Sequence, residues 1–512
     1  MIDDARSLWE LIERRAEATP DKVMLFDDGR EVTFAQYRDW SERVAAGLAV
    51  HHGVGEETAV SWQLPTWSEA AVLLGALSRL GAIQNPMLPI YRDREVRFIT
   101  EQTGCELIVV PTEFRGFGHA EMAHAVAEDQ PGMQVLVADR TLPEGDPNGL
   151  AAVATLPNDL SDDPVRWIFY TSGTTADPKG AQHTDRTIMA TSIGYCRRVQ
   201  ASETDSSLVA FPFTHVGGII IGIFQALLTG AGSVLIETFT PQGATELIGR
   251  HGITFGNGAP AIHQLLLEEA RANPDAYKSI RAFPSGGASK PPQLHEDLKQ
   301  VVPGNAGIIS GYGLTECPIL SQTAIDDPDE SRRDAEGRPQ DGVEIKFLDL
   351  DGNEVAGEGE LVVKGPMLMR GYLDVSLDAG AFTADGFFKT GDLSRLDPNG
   401  AVIITGRIKD IIIRKGENIS AKELEDLLFT HPAVADVAVI GLPDEEAGEI
   451  ACAVIVTAEG ADPVTIDDVF QHCTAAGLMT QKVPERVELL PELPRNPSGK
   501  VLKHELQAQY SK

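Results

Sequence analysis

The stretch Tyr170-Thr171-Ser172-Gly173-Thr174-Thr175-Ala176-Asp177-Pro178-Lys179-Gly180 decides how the rest of the chain is read. It follows the run Val165-Arg166-Trp167-Ile168-Phe169, which has strand character and is too short for a stable helix. From Thr171 onward it holds four aliphatic hydroxyls, two glycines and a lysine. Gly173 lets the backbone approach a ligand closely, and successive N–H groups in such a loop form a concavity suited to phosphate. A solvated turn would use many of the same residue types, but it gives no reason for a lysine between Pro178 and Gly180. The stretch is not a Walker A loop. Pro178 stands where the second glycine should be, and Gly180 follows the lysine where Ser or Thr is required. It is a phosphate cradle of another kind, and the remainder of the chain must say which.

Composition narrows the choice. A chain of 512 residues suggests more than one domain, and a hydrophobic content of 42% is ordinary for a globular protein. The formal charge is −33, from 76 acidic against 43 basic residues, which argues against nucleic acid or an anionic membrane as the main partner. A local cradle can still hold an anion against that field. Five scattered cysteines without CxxC spacing suggest neither a disulfide framework nor a zinc site and fit a reducing, cytoplasmic setting. The start of the sequence has no basic and apolar leader pattern. Residues 216–236 carry no charge, but five glycines interrupt them; the expectation is a buried helix followed by a buried strand, not a transmembrane segment.

Periodicity supplies the architecture. Helical spacing over 7–19, 34–50, 70–80 and 94–104 alternates with short strand-like runs at 22–26, 59–64, 82–85 and 107–110, which predicts a layered α/β domain. Residues 142–163, rich in Pro, Gly and Asp, read as a surface connection, and alternation resumes over 208–310. From 343 to 373 short strands broken by Asp-Gly and Gly-Glu-Gly turns suggest an antiparallel subdomain. A new unit begins near Gly406. In it Ser420 and Glu423 form a capping box, 434–442 and 450–456 are strands, and 466–476 is a helix, enough for a small α+β domain.

Four further segments carry chemistry. Gly311-Tyr312-Gly313-Leu314-Thr315-Glu316 fails as a dinucleotide fingerprint, because Glu316 replaces the third glycine. It offers close backbone approach, an aromatic ring, a hydroxyl and a carboxylate, suited to a base, a phosphate oxygen and Mg2+; a structural turn would explain it equally well. Thr390-Gly391-Asp392 places a carboxylate at an expected strand end, where it could accept both hydroxyls of a ribose. Gly406-Arg407-Ile408-Lys409-Asp410 precedes Gly416-Glu417-Asn418, and Asn496-Pro497-Ser498-Gly499-Lys500 sets a lysine near the terminus.

Together and in this order, these segments resemble the acyl-adenylate-forming enzymes: acyl-CoA synthetases, peptide-synthetase adenylation domains and luciferases. The resemblance covers nearly the whole chain. It implies an N-terminal AMP-binding domain over 1–405, a hinge at 406–409 and a small mobile C-terminal domain over 410–512. It further implies that Thr171, Ser172, Gly173, Thr174, Thr175 and Lys179 hold the β- and γ-phosphates of ATP, while Gly286, Gly287, Ala288 and Gly311-Tyr312-Gly313 frame the adenine. Thr315 would touch the α-phosphate, Glu316 would help hold Mg2+, Asp392 would bind the ribose, and Arg407 would assist. Lys409 matches the hinge position and Lys500 the lysine that bridges carboxylate and α-phosphate. Gly416, Glu417 and Asn418 would face coenzyme A after domain rotation. The implied activity is an ATP-dependent acid:CoA ligase with a small-molecule carboxylic acid as substrate, and none of the cysteines need be a nucleophile. Loading of a carrier-protein pantetheine, a luciferase-like mono-oxygenase and a non-catalytic nucleotide-binding module are the other readings. The sequence leaves a homodimer open.

Two positions depart from the family pattern. Ala176 stands where glycine is usual, and Asp185 where histidine is frequent. His215, in Phe211-Pro212-Phe213-Thr214-His215-Val216-Gly217-Gly218, would wall the acyl pocket. No aspartate lies in that segment to pair with an α-amino group, and a buried unpaired carboxylate would be costly. This favours an acid without that amine. The apolar run after His215 is compatible with fatty, alicyclic, steroid side-chain or aromatic acids.

Overall fold

The structure is a computed structural model, and it describes every residue except 155, 158–161, 172–177, 289, 416, 445, 496–500 and 512. Two sheets, each mostly parallel, organise the N-terminal part. In one, the order is Gly180–His183, Trp167–Tyr170, Ile83–Pro86, Ala59–Trp62, Leu107–Val110 and Gln134–Val137. In the other it is Phe255–Gly256, Ser206–Val209, Gly232–Leu235, Val23–Asp27 and Arg30–Thr33. Each ends in one antiparallel edge strand. Parallel strands need helical crossovers that cover both faces, and the helices Phe34–His52, Ser68–Leu80 and Asp185–Arg198 supply part of that cover. The shared core joins Trp9, Trp62, Trp167, Phe213 and Phe224, all essentially without solvent exposure.

The uncharged stretch is buried as expected. It forms a helix over Val216–Ile219, one π-helical turn over Ile220–Phe224, and α-helix again over Gln225–Thr229, before the strand Gly232–Leu235. No helix among the described residues is long and apolar enough to cross a membrane.

The antiparallel subdomain extends well beyond residue 373. Its strands are Glu344–Leu348, Gly359–Lys364, Phe388–Leu396 and Val402–Arg407. The last strand runs past residue 405 to Arg407, and the turn Ile408–Asp410 follows. Beyond it a sheet of five strands packs against the helices Ala421–Leu428, Ile466–Ala475 and Lys503–Tyr510. Its apolar clusters draw only on residues from Ile412 onward, so this part has a core of its own.

Only half of the expected capping box forms. Ser420 accepts from the Glu423 amide at 3.3 Å, but the Glu423 carboxylate turns to Lys482 at 2.7 Å. The Ser420 hydroxyl also donates to the Thr405 carbonyl at 2.6 Å, tying the first C-terminal helix to the last strand of the subdomain.

Candidate active site

The phosphate-loop stretch is the connection of a β-hairpin, not of a strand–helix unit. Tyr170 pairs with Gly180, and the Thr171 amide donates to the Lys179 carbonyl at 3.0 Å, so both ends of the loop are clamped together. Ser172, Gly173, Thr174, Thr175 and Ala176 lie outside the described residues, as do Gly416 and Lys500.

The outer hairpin strand Gly180–His183 organises what surrounds the loop. Its backbone bonds to Gly371 and Leu373, which brings Tyr372 against the hairpin. The Lys179 ammonium lies 5.3 Å from the centroid of the Tyr372 ring, within cation–π range. The Tyr372 hydroxyl donates to Glu316 Oε1 at 2.6 Å. A single tyrosine thus joins the loop lysine to the carboxylate expected at the metal. Burial, and then the Glu316 charge, push the Tyr372 hydroxyl well above its ordinary pKa, so it remains a donor. Nothing in the sequence marked Tyr372 beyond its place after Gly371, whose φ of +131° is open chiefly to glycine.

His183 was likewise missed. Its Nε2 donates to the Thr315 carbonyl at 2.9 Å, and its Nδ1 lies 3.0 Å from the Thr187 hydroxyl. Burial lowers its pKa to about 4, which keeps the ring neutral beneath the segment that carries Thr315 and Glu316. Gly313 sets the course of that segment: a Cβ there would meet the Ile319 amide nitrogen at 2.2 Å.

Asp392 sits inside the nine-residue strand Phe388–Leu396, not at a strand end. Gly391 has φ +72°, and register shifts on both neighbouring pairings bend the strand locally and turn Asp392 inward. The carboxylate is 2% exposed; it accepts from the Tyr312 hydroxyl at 2.5 Å and from Arg407 Nε at 2.8 Å. Arg407 is also its cross-strand partner. Burial, then the Asp392 charge, hold the Tyr312 hydroxyl far above its ordinary range. Gly286, Gly287 and Ala288 leave the strand Phe283–Ser285, which runs parallel to Ile308–Tyr312, and a Cβ at Gly286 would lie 3.1 Å from the Gly311 carbonyl. The two segments expected around the adenine are therefore adjacent.

Asp185 gains a physical account. It is buried, accepting from the Trp167 indole at 2.8 Å and from the Leu8 amide at 2.9 Å. It anchors the first helix, Leu8–Ala18, onto the loop-bearing strand. His215 caps the helix Val216–Ile219, its Nδ1 accepting from the Gly217 amide at 3.0 Å, and it stacks on Phe211. Lys409 lies in the turn Ile408–Asp410, while Glu417 and Asn418 are exposed on an edge strand of the C-terminal sheet. All five thiols are buried, and burial pushes those of Cys196 and Cys317 up, which suits packing and not attack.

Among the described residues no cluster of three or more His, Cys, Asp or Glu could hold a metal unaided. Mg2+ needs no such cage: one or two carboxylates and substrate phosphates suffice. Glu316, buried and with Oε1 held by Tyr372, fits that requirement.

Residues 12–373 match the AMP-binding enzyme family, and residues 423–500 match the AMP-binding enzyme C-terminal domain. The chain is 30% identical to the medium-chain fatty-acid–CoA ligase of Escherichia coli over 97% of this chain and 89% of that protein. It is 32% identical to the salicyl-AMP ligase / salicyl-S-ArCP synthetase of Mycobacterium tuberculosis, over 98% and 91%. The crystal structure of ATP-bound MatB from Rhodopseudomonas palustris superposes with a TM-score of 0.88, at 27% identity and 99% coverage of both chains. The chain belongs to the AMP-binding, acyl-adenylate-forming enzyme family: it is an acid–thiol ligase of the acyl-CoA synthetase type, working with ATP, Mg2+ and coenzyme A.

Proposed function

We propose that this ligase activates a carboxylic acid that lacks an α-amino group and has an apolar body, and joins it to coenzyme A. The observation that carries this reading is the segment 211–224, which holds no carboxylate to pair an α-ammonium and whose run after His215 is uncharged and mostly buried; the contacts of Tyr372 with Lys179 and Glu316 support the ATP side of the site. A carboxylate is a poor acyl donor, because its leaving group would be oxide. Its oxygen attacks the α-phosphorus of ATP; the new P–O bond forms as the bond to pyrophosphate breaks. The thiolate of coenzyme A then attacks the acyl carbon, and AMP leaves.

The first step brings anions together, and fixed charges and dipoles in a site shielded from water offset their repulsion. In this reading Thr171, Ser172, Gly173, Thr174, Thr175 and Lys179 grip the terminal phosphates, and Thr315 meets the α-phosphate. Asp392 takes the ribose hydroxyls while Arg407 orients it, and Tyr312 with Gly286–Ala288 and Gly311–Gly313 holds the base. Mg2+, held by Glu316, would supply charge neutralisation at the phosphates. Lys500 bridges carboxylate and α-phosphate. A body over 1–405 and a unit over 410–512, turning about 406–409 with Lys409 at its centre, would exchange Lys500 for the face bearing Gly416, Glu417 and Asn418. The separate core of the C-terminal unit supports such a movement. The enzyme is cytoplasmic in this reading.

The test is a panel of carboxylic acids with ATP and coenzyme A. AMP, pyrophosphate and thioester should appear in equal amounts with at least one acid. Absence of AMP with every acid would overturn the reading.

A further inference from the structure

Lys290 is the one buried lysine among the described residues, and the chemistry above gives it no role. Its side chain is 4% exposed. Nζ donates to the Ala335 carbonyl at 3.3 Å and faces Glu336 Oε1 at 4.0 Å. Buried Arg15, by contrast, makes two short bonds, to the Leu227 and Leu228 carbonyls at 2.7 and 2.8 Å. Burial pulls the Lys290 pKa down, and the Glu336 charge offsets only part of that. A buried ion pair repays its desolvation only with close geometry and with its remaining donors satisfied. This pair has neither, so apolar side chains would serve the fold as well, and stability does not explain it.

Its place in the fold does. Lys290 lies just past Gly286-Gly287-Ala288. The other Glu336 oxygen, Oε2, accepts from the Ser310 hydroxyl, and Ser310 immediately precedes Gly311-Tyr312. The Glu336 backbone is fixed as well. Its amide donates to the Val402 carbonyl at 2.7 Å, and its carbonyl accepts from the Ser321 hydroxyl at 3.0 Å. One firmly held carboxylate thus ties the end of one base-framing segment to the start of the other. The ladder between their strands ends at Ser285 and Ser310, and the Glu336 bridge begins where it stops.

We propose that Lys290 and Glu336 are positioning residues for the nucleotide, their bridge setting the spacing of the two segments that frame the adenine. This rests on the placement of the base given above and deepens it. An apolar contact can slide, whereas a carboxylate shared between the Ser310 hydroxyl and the Lys290 ammonium holds one spacing. Without the bridge the slot loosens around the base, and the groups that meet the phosphates, on other segments, stay where they are. Lost binding of a part that does not react raises KM and leaves kcat unchanged.

The test uses the full chain, with AMP binding measured by calorimetry and steady-state kinetics run on an acid that supports AMP release. Lys290→Met and Glu336→Gln should each raise the Kd for AMP and the KM for ATP about fivefold or more, as expected for partners in one network. The kcat and the KM values for the acid and coenzyme A should stay within about twofold of wild type. Combining the two substitutions should cost no more than either alone, because each already breaks the bridge. Lys290→Arg should bind AMP as the wild type does. A merely structural pair would instead lower the fraction of active enzyme, so that kcat falls while Kd and KM do not move. That pattern, a loss confined to one of the two residues, or unchanged AMP affinity in both would overturn the proposal and leave the ligase reading intact. A wild-type chain that bound no AMP would remove the nucleotide placement as well.

Discussion

At the scale of the residue, the site works by second contacts. Tyr372 touches Lys179 with its ring and Glu316 with its hydroxyl. Outer partners that orient a metal's ligand are typically worth 10- to 100-fold in metal affinity. Tyr372→Phe keeps the ring and removes the donor. The Mg2+ concentration needed for half-maximal AMP release should rise about tenfold in this variant, and an unshifted Mg2+ titration would refute the positioning role. His183 and His263 give a second prediction. Both are fully buried, and burial lowers each to about 4 from an ordinary 6.5. The folded state therefore holds them neutral where the unfolded chain binds a proton. Their contribution is complete above pH 6.5 and is lost as pH falls towards 4. At about 1.4 kcal/mol per pH unit, moving from pH 6.5 to 5 should cost roughly 2 kcal/mol per histidine. Urea unfolding at both pH values should show this loss in the wild type, and His183→Gln should show one histidine's share less.

At the scale of the element, the hairpin Trp167–Tyr170 and Gly180–His183 does most of the positioning. One strand is anchored through Trp167 to Asp185, the other through His183 to Thr315 and through its backbone to Gly371 and Leu373. The segment carrying Thr315 and Glu316 depends on Gly313, whose missing side chain leaves room for the Ile319 backbone. Since backbone cannot move aside as a flexible side chain can, Gly313→Ala must displace the segment. A 1 Å misplacement near the chemistry can cost on the order of 100-fold. We therefore expect kcat/KM for ATP to fall at least tenfold, with far-ultraviolet circular dichroism retained. Wild-type kinetics in this variant would show that the close approach is incidental.

At the scale of the whole molecule, the decisive property is that the small C-terminal unit has its own core and carries the lysine expected to act in the first step only. Lys500→Ala should slow acyl-AMP formation by about 100-fold or more, in the range found when one preorganised electrostatic group is removed. Thioester formation from supplied acyl-AMP should stay near the wild-type rate. Pyrophosphate release and thioester formation, measured as separate half-reactions, decide this; equal loss in both would break the link between Lys500 and step one.

The layered fold was legible because periodicity reports burial locally: strands at 59–62 and 107–110 and helices at 34–52 and 68–80 lie where apolar spacing puts them. The segments around residues 170–180, 311–316 and 392 stood out because they combine glycines with hydroxyls or charges in patterns a core does not need. Asp185 was visible as an oddity but not explicable, since its partners Trp167 and Leu8 lie 18 and 177 residues away. Tyr372 and His183 look like ordinary strand or loop residues in one dimension. The sequence by itself determined the family, the order of the segments and the residue types available for phosphate, ribose and metal. Only the tertiary structure decided that Tyr372 links Lys179 to Glu316, that Asp392 is turned inward within a bent strand, and that His183 supports the segment carrying Thr315. These are contacts between sequence-distant groups, and hydrogen bonding and desolvation act through space, which local sequence patterns do not encode.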